Sequence, residues 1–211
     1  MKTEIILIGG GGHCKSCIDV VELTENYRIA GIIDLPEKVG EKVLGYPIIA
    51  SDADFSEILK QYSSFLITIG QIESPQKRIS LFKRLRQAKR HLPVIVSPLA
   101  YVSKHARIGD GTVVMHSAVI NADAVVGENC IINSKALVEH DAVIGDHCHI
   151  ATSAIVNGNV LIDEGCFVGS GAVCRNNIKI GAFSFICSNV TVANDVRAFS
   201  RKEPEYGSEL F

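Results

Sequence analysis

The stretch from Asn133 to Val160, NSKALVEHDAVIGDHCHIATSAIVNGNV, holds three of the chain's seven histidines, His140, His147 and His149, set among Val, Ile, Ala and Gly. Glu139 and Asp141 flank His140, and Cys148 separates the other two. An imidazole titrates close to neutral pH, so it can take a proton from an attacking group, hold a metal ion, or simply meet solvent. A neighbouring carboxylate can fix its tautomer and stabilise its charged form. Residue type leaves these uses open. The direction of each side chain decides between them, and the surrounding repeat sets that direction.

From Val96 to Val192 every sixth residue is Ile or Val, with Cys174 the one departure. Two residues further on, the column that contains His116 and His140 holds no Ile or Val at all. A short period sustained over so many repeats marks a solenoid whose units stack on one continuous core. Gly109, Gly127, Gly145 and Gly181 fall on a second period of eighteen, broken once by Asp163, so three hexads make one coil. Three short parallel strands per coil form a triangular prism, with successive coils roughly 4.8 Å apart. Cys130, Cys148 and Cys166 share a column that elsewhere holds mostly alanine and read as small inward fillers, not metal ligands. The residue before each Ile or Val faces outward, since side chains alternate along a strand, yet it is often apolar, as at Val119, Ile131, Leu137, Val143 and Phe167. Ordered apolar rows of this kind call for cover by other copies of the chain, and a three-sided prism suggests a homotrimer. His149 interrupts one such row between Ile131 and Phe167. His147, His105 and His116 read as surface residues.

The first part of the chain obeys different rules. Glu4 to Ile8 is a strand run, Gly9 to Gly12 a turn, His13 to Thr24 helical in pattern, and Arg28 to Ile33 a second strand ending at Asp34. Phe65 to Ile69 gives a third strand and Ser74 to Arg90 an amphipathic segment, with Pro93 at the passage into the solenoid. The spacing predicts an α/β Rossmann-like domain over 1–92, a parallel β-helix over 93–196 and a charged tail over 197–211. G-x-G-x-x-G fails in both registers of the glycine run, which speaks against NAD. A glycine turn leading into a helix still offers backbone N–H groups to a phosphate, and Asp34 is placed to accept ribose hydroxyls. Cys14 and Cys17 form a CxxC at the helix start without thioredoxin-like surroundings.

Composition narrows the function classes. A chain of 211 residues, 47% hydrophobic and 21% charged, can bury a sizeable core, and a net charge of −2 gives no reason to expect nucleic acid or an anionic membrane as partner. The apolar run near the N-terminus is too short for a signal or membrane-spanning segment, and seven cysteines without an extracellular signal read as free thiols. A cytoplasmic location without membrane insertion is the expectation.

A G-x-G-G-H-x-K turn, here Gly9 to Lys15, joined to a hexapeptide β-helix with a Glu-His-acid step, here Glu139-His140-Asp141, resembles the NeuD/PglD-type sugar acetyltransferases of bacterial surface-glycan synthesis. The resemblance runs from about Ile5 to Val192. It implies a left-handed parallel β-helix, a homotrimer, acetyl-CoA as co-substrate, a nucleotide-linked sugar held by the N-terminal domain, and no metal. By the same resemblance His140 is the catalytic base and Asp141 the carboxylate that strengthens it. His149 is similar to a histidine that contacts acetyl-CoA, Gly158 to the glycine whose N–H meets the acetyl carbonyl, and Gly169 and Ser170 fall on coils that line the pantetheine. Gly11, Gly12, His13 and Asp34 match the sugar-nucleotide pocket. A complete site is expected to combine His140 of one chain with His149 of another. The acid after His140 resembles members that acetylate an amino group, with sialic-acid O-acetyltransferases as the second reading. A γ-carbonic-anhydrase-like zinc enzyme would need a histidine whole coils away from His116 or His140, where Thr152 and Asn176 stand instead. A non-catalytic sugar-nucleotide-binding scaffold sits poorly with an intact His140.

Overall fold

Apolar runs punctuated by glycine become the central strands of the first part of the chain. In the computed structural model, which describes residues 2–204, these are β1 (Thr3–Ile8), β2 (Tyr27–Asp34), β3 (Lys42–Val43), β4 (Tyr46–Ser51) and β5 (Ser64–Ile67). They alternate with α1 (Gly12–Leu23), α2 (Phe55–Gln61) and α3 (Gln76–Gln87). The sheet runs β3-β4-β2-β1-β5, parallel throughout except for the β3–β4 pair. Ile5, Ile6 and Leu7 have no exposed surface, as a central parallel strand with both faces covered requires. β4 and α2 had no clear sequence pattern, because Pro47 and Ser51 interrupt the apolar run and α2 is under two turns long.

From Ile95 the backbone winds into a prism of three parallel sheets. One runs from Ile95–Val96 to Arg201–Lys202, the second from Tyr101–Val102 to Thr191–Val192, the third from Arg107–Ile108 to Lys179–Ile180, with seven, six and five strands. Successive coils pair with an offset of eighteen residues, as in Val119 on Leu137 on Ile155 on Val173. The Ile/Val column and the Ala/Cys column fill the interior together, and Cys130, Cys148 and Cys166 are fully buried fillers. Corners from Gly111 to Asn189 each hold one residue in the left-handed region, Asp141 at φ 60° among them. That conformation costs a non-glycine residue about 1–2 kcal/mol, while burial of one Ile or Val per hexad contributes about 1.5–3 kcal/mol. With the ladder hydrogen bonds added, the coil wins.

Two expectations need correction. The outward row of the seven-stranded face, Val113, Ile131, His149 and Phe167, is buried by the chain's own N-terminal part rather than by other copies: Ile95, Val113, Met115 and Ile131 share one core with Cys14, Cys17 and Ile18 of α1. Apolar rows remain uncovered on the other two faces: Val143 and Leu161 are exposed on the five-stranded face, and Val119, Leu137, Ile155 and Val173 are half-buried on the six-stranded one. The charged tail also begins later than its composition suggested. Val196 is buried and bridges Ile180, and Arg201–Lys202 pairs with Phe185–Ile186. Both pairings have an offset of sixteen (196 − 180 and 201 − 185), so the last coil is two residues short and the hexad count loses its phase. Residues 205–211 of the expected tail lie outside the described residues. Among the described residues no helix is long and apolar enough to cross a membrane.

Candidate active site

The corner between the six- and five-stranded faces is the vertex opposite the face that the N-terminal part covers. His140 stands on it, directly after the strand Leu137–Val138. The left-handed backbone at Asp141 returns its carboxylate to the imidazole, with His140 Nδ1 and Asp141 Oδ2 2.8 Å apart. That hydrogen bond, helped by the nearby negative charge, raises the His140 pKa above the ordinary 6.5. Because Nδ1–H is engaged by the carboxylate, Nε2 is the nitrogen left to accept a proton. The His140 side chain is 62% exposed, so the pair is screened by water and adds little to stability; its value is chemical.

One coil further on, Gly158 makes room for the ring. A Cβ at that position would lie 2.8 Å from His140 Cε1 and 3.0 Å from Nε2. Its N–H finds no backbone acceptor among the described residues. Asn176 follows eighteen residues later, its Nδ2 3.2 Å from the same point. The vertex therefore stacks a base, a backbone N–H and an amide; Asn176 was the member of the set not singled out from the sequence, though its spacing from Gly158 announces it.

A second site lies in the N-terminal part. At the carboxyl ends of β1, β2 and β5 a cavity of about 800 Å³ opens, walled by Gly9 to His13, Asp34, Lys38 and Thr68 to Gly70. Neighbouring connections leave β1 in opposite directions there, which is where open α/β sheets bind ligands. Gly11 and Gly12 border open space, and no side chain caps the start of α1, so its first N–H groups face the cavity. The structure thus brings together Gly11, Gly12, His13 and Asp34. Asp34 is already engaged: it accepts from Gly10 N at 2.9 Å, Leu35 N at 2.8 Å and Lys38 Nζ at 3.2 Å. Burial pushes its pKa up, but these donors outweigh it and hold the carboxyl below its usual range. Sequence reasoning missed the opposite wall, where Lys77, Ser80, Leu81 and Arg84 of α3 line the cavity. Their i, i+3, i+4, i+7 spacing is the signal that could have found them.

His149 does not sit at an open crevice. It is 7% exposed, its Nδ1 donates to the Gln71 carbonyl at 2.6 Å, and Asn133 Nδ2 approaches Nε2 at 3.2 Å. Burial lowers its pKa to about 4 and that of His13 to about 3. His147, expected at the surface, is buried edge-on against Phe82 and bonded to Asn129. His116 bridges Ser97 (2.7 Å) and Asp19 of α1 (2.7 Å), but Ser97 is sealed at 1% exposure, so this Ser-His-Asp line fastens α1 to the first coil and meets no substrate. Gly169 and Ser170 lie on a different vertex from His140, between the seven- and six-stranded faces; a Cβ at Gly169 would meet the next coil's backbone at 2.5 Å.

Residues 4–85 match the family described as PglD N-terminal domain, and residues 105–140 the bacterial transferase hexapeptide repeat. The structure of PerB from Caulobacter crescentus, in complex with CoA and GDP-perosamine, superposes with a TM-score of 0.87 at 30% identity over 94% of this chain and 92% of that one. The chain belongs to the NeuD/PglD-type sugar acetyltransferases. The prism is accordingly this family's left-handed β-helix. The acetyltransferase domain of PglB from Neisseria gonorrhoeae is 27% identical, with a TM-score of 0.83 over 92% of this acetyltransferase and 93% of that chain. WeeI from Acinetobacter baumannii, 22% identical over 94% of this chain and 96% of its own, shares the fold with a TM-score of 0.81. No curated protein matches the sequence.

Proposed function

We propose that the chain transfers the acetyl group of acetyl-CoA to the amino group of a nucleotide-linked amino sugar used in building bacterial surface glycans. The observation that carries this reading is the His140–Asp141 pair set over Gly158 at an open vertex, in a chain that resembles over 94% of its length a GDP-perosamine-bound N-acetyltransferase. The amine attacks the thioester carbonyl as its proton passes to His140 Nε2. Asp141 holds the imidazole's other nitrogen and stabilises the imidazolium, and the Gly158 N–H faces the tetrahedral oxyanion. The intermediate collapses with release of the CoA thiol. Gly169 and Ser170 are assigned to the pantetheine, and Gly11, Gly12, His13 and Asp34 to the nucleotide sugar. Lys38, Lys77 and Arg84 add positive charge suited to a diphosphate.

We further infer a homotrimer with a shared site. His140 stands at the vertex opposite the face that carries the chain's own nucleotide cavity, so the sugar must come from a neighbouring protomer. The exposed row through Val143 and Leu161 is a surface such a neighbour would cover. We keep the domain division at 1–92 and 93–196, with the short coil to Lys202 appended to the β-helix. A cytoplasmic location agrees with seven free cysteines, six of them buried.

The test is to follow thiol release from acetyl-CoA with a panel of UDP- and GDP-linked amino sugars beside free and CMP-linked sialic acids. Release with an amino sugar, absent with the sialic acids and lost in His140→Ala, is the expected result. Release only with sialic acids would move the assignment to O-acetylation, and none with any acceptor would remove it.

A further inference from the structure

Asp34 is occupied by its three donors, yet a second carboxylate on the same cavity wall, Asp52, is free. β4 pairs with β2 in a register that sets Ser51 beside Asp34, so Asp52 emerges next to Leu35, one strand further from β1. Neighbouring strands lie about 4.8 Å apart, which puts Asp52 about 10 Å from the glycine turn that ends β1. Local capping explains why it is free. Ser51 donates to Asp54 Oδ2 from its N at 3.0 Å and its Oγ at 2.9 Å, so Asp54 serves the turn. Asp52 is exposed, and among the described residues its carboxylate has no hydrogen-bond or ion-pair partner.

Arg84 reaches the same end of the cavity from α3. Its guanidinium lies over the ring of Phe55, 4.1 Å from the centroid. Phe55 follows the short 3-10 turn Asp52–Asp54, and side chains three apart in such a turn eclipse, which brings Asp52 and Arg84 to one edge. Leu35 and Ile72 also line the cavity and keep 46% and 62% of their surface open. Bare aliphatic side chains beside a few convergent polar groups suit the flat face of a ring better than a phosphate.

We propose that the base end of the cavity is built for guanine, with Asp52 as the specificity-determining residue, so that the acceptor is a GDP-linked amino sugar. This rests on the reading of the cavity as the nucleotide-sugar site. With the phosphates at the glycine turn and the ribose at Asp34, the base falls at the end of β4, against Asp52. An ionised carboxylate only accepts, through two oxygens side by side. Guanine is the one common base that offers two adjacent N–H donors, N1–H and the 2-amino group. Cytosine and adenine offer an amino group beside an unprotonated ring nitrogen, and uracil a single N–H between two carbonyl oxygens; a carboxylate repels those lone pairs. The Arg84 guanidinium matches the remaining edge, since it can donate to guanine O6 and N7, and its charge still adds to the field at the diphosphate.

The test titrates GDP, UDP, CDP, ADP and inosine diphosphate (IDP), each alone, into the wild-type protein and into Asp52→Asn by calorimetry. IDP differs from GDP only in lacking the 2-amino group. In the wild type GDP is expected to bind about tenfold or more tighter than each of the others. In Asp52→Asn one acceptor oxygen remains, so the GDP Kd is expected to rise about tenfold and the GDP–IDP gap to close to about twofold, while the UDP Kd stays level or falls. The exposed side chain is bonded to nothing, so the melting temperature should not move, and a merely structural role would weaken every base alike. UDP, CDP or ADP binding as tightly as GDP would overturn the proposal and leave the cavity reading intact. A GDP–IDP gap that survives in Asp52→Asn would overturn it as well. If no nucleoside diphosphate binds the wild-type protein, the cavity reading falls and takes the proposal with it.

Discussion

His140 and His149 lie half a coil apart, yet the fold gives them opposite lives. One stands at a vertex, 62% exposed, with its pKa raised by a carboxylate; the other lies on a covered face, 7% exposed, with its pKa lowered to about 4 by burial. On a three-sided coil of eighteen residues, nine positions carry a side chain from a vertex to the face opposite. The residue type is constant and the phase of the repeat assigns the role. One imidazole is free to exchange protons with a substrate, and the other is locked as a neutral donor within the chain.

The comparison breaks if the exposed ring can be removed without consequence. His140→Ala is expected to lower kcat by about 10³-fold, within the range for loss of a general base. Its thermal midpoint should stay within a degree or so, because the side chain packs against little and meets water. Steady-state kinetics beside a melting curve check both halves, and a large loss of stability would mean the vertex is structural. Gly158→Ala comes next. The new Cβ would collide with the imidazole at 2.8 Å, so the ring must swing away from the reacting carbonyl, and a fall in kcat of about 10²-fold is expected from misplacement alone. The double variant with His140→Ala should be no worse than His140→Ala by itself, since the clash has then lost its partner.

The sequence made the vertex legible and hid the covered face, for a physical reason. The hexad and eighteen-residue periods report on contacts between one coil and the next, so they located inward Ile and Val, the cysteine fillers and the corner that carries His140. They say nothing about what packs on the outside of the prism. Val113, Ile131, His149 and Phe167 therefore read as a surface for another copy, when α1 and the loop at Gln71 of the same chain cover them. His147 was misread in the same way. In the N-terminal part the glycine turn and Asp34 were visible because a phosphate-binding turn needs residues of unusual type. The α3 wall was not, because Lys77 and Arg84 are ordinary helix residues until the fold aims them into a cavity. The short last coil escaped because a change of phase by two residues erases the hexad that would have revealed it.

A smaller effect sharpens the chemistry at the vertex. Asp141→Asn keeps a residue that tolerates the left-handed backbone but withdraws the charge, leaving a neutral amide oxygen as a weaker acceptor for Nδ1–H in place of the carboxylate that raises the His140 pKa. A base works when neutral, so the rate climbs as pH rises through that pKa. In the variant the acid limb of the pH–kcat profile is expected to move to lower pH, toward 6.5, while the plateau falls about tenfold as the weaker base takes the proton less readily. A limb that stays where it was would show that His140 is not the group being titrated.

The same pair of histidines makes opposite predictions for stability in acid. His149 is neutral in the fold with a pKa near 4, and an unfolded chain would bind its proton near 6.5. Between those values the unfolded state holds more protons, so stability falls as pH drops from about 6.5 toward 4, with a limiting slope of about 1.4 kcal/mol per pH unit. His13, lowered to about 3 chiefly by burial, acts in the same direction and extends the loss further into acid. His149→Asn cannot titrate and keeps a donor for the Gln71 carbonyl, so its unfolding free energy, measured by denaturant between pH 4 and 7, should lose part of this slope. His140→Ala should not flatten this slope, because the exposed ring, its pKa raised by Asp141, accepts its proton more readily in the folded state than in the unfolded one. If the two variants flatten the curve equally, the burial that separates the covered face from the vertex is not what governs these two rings.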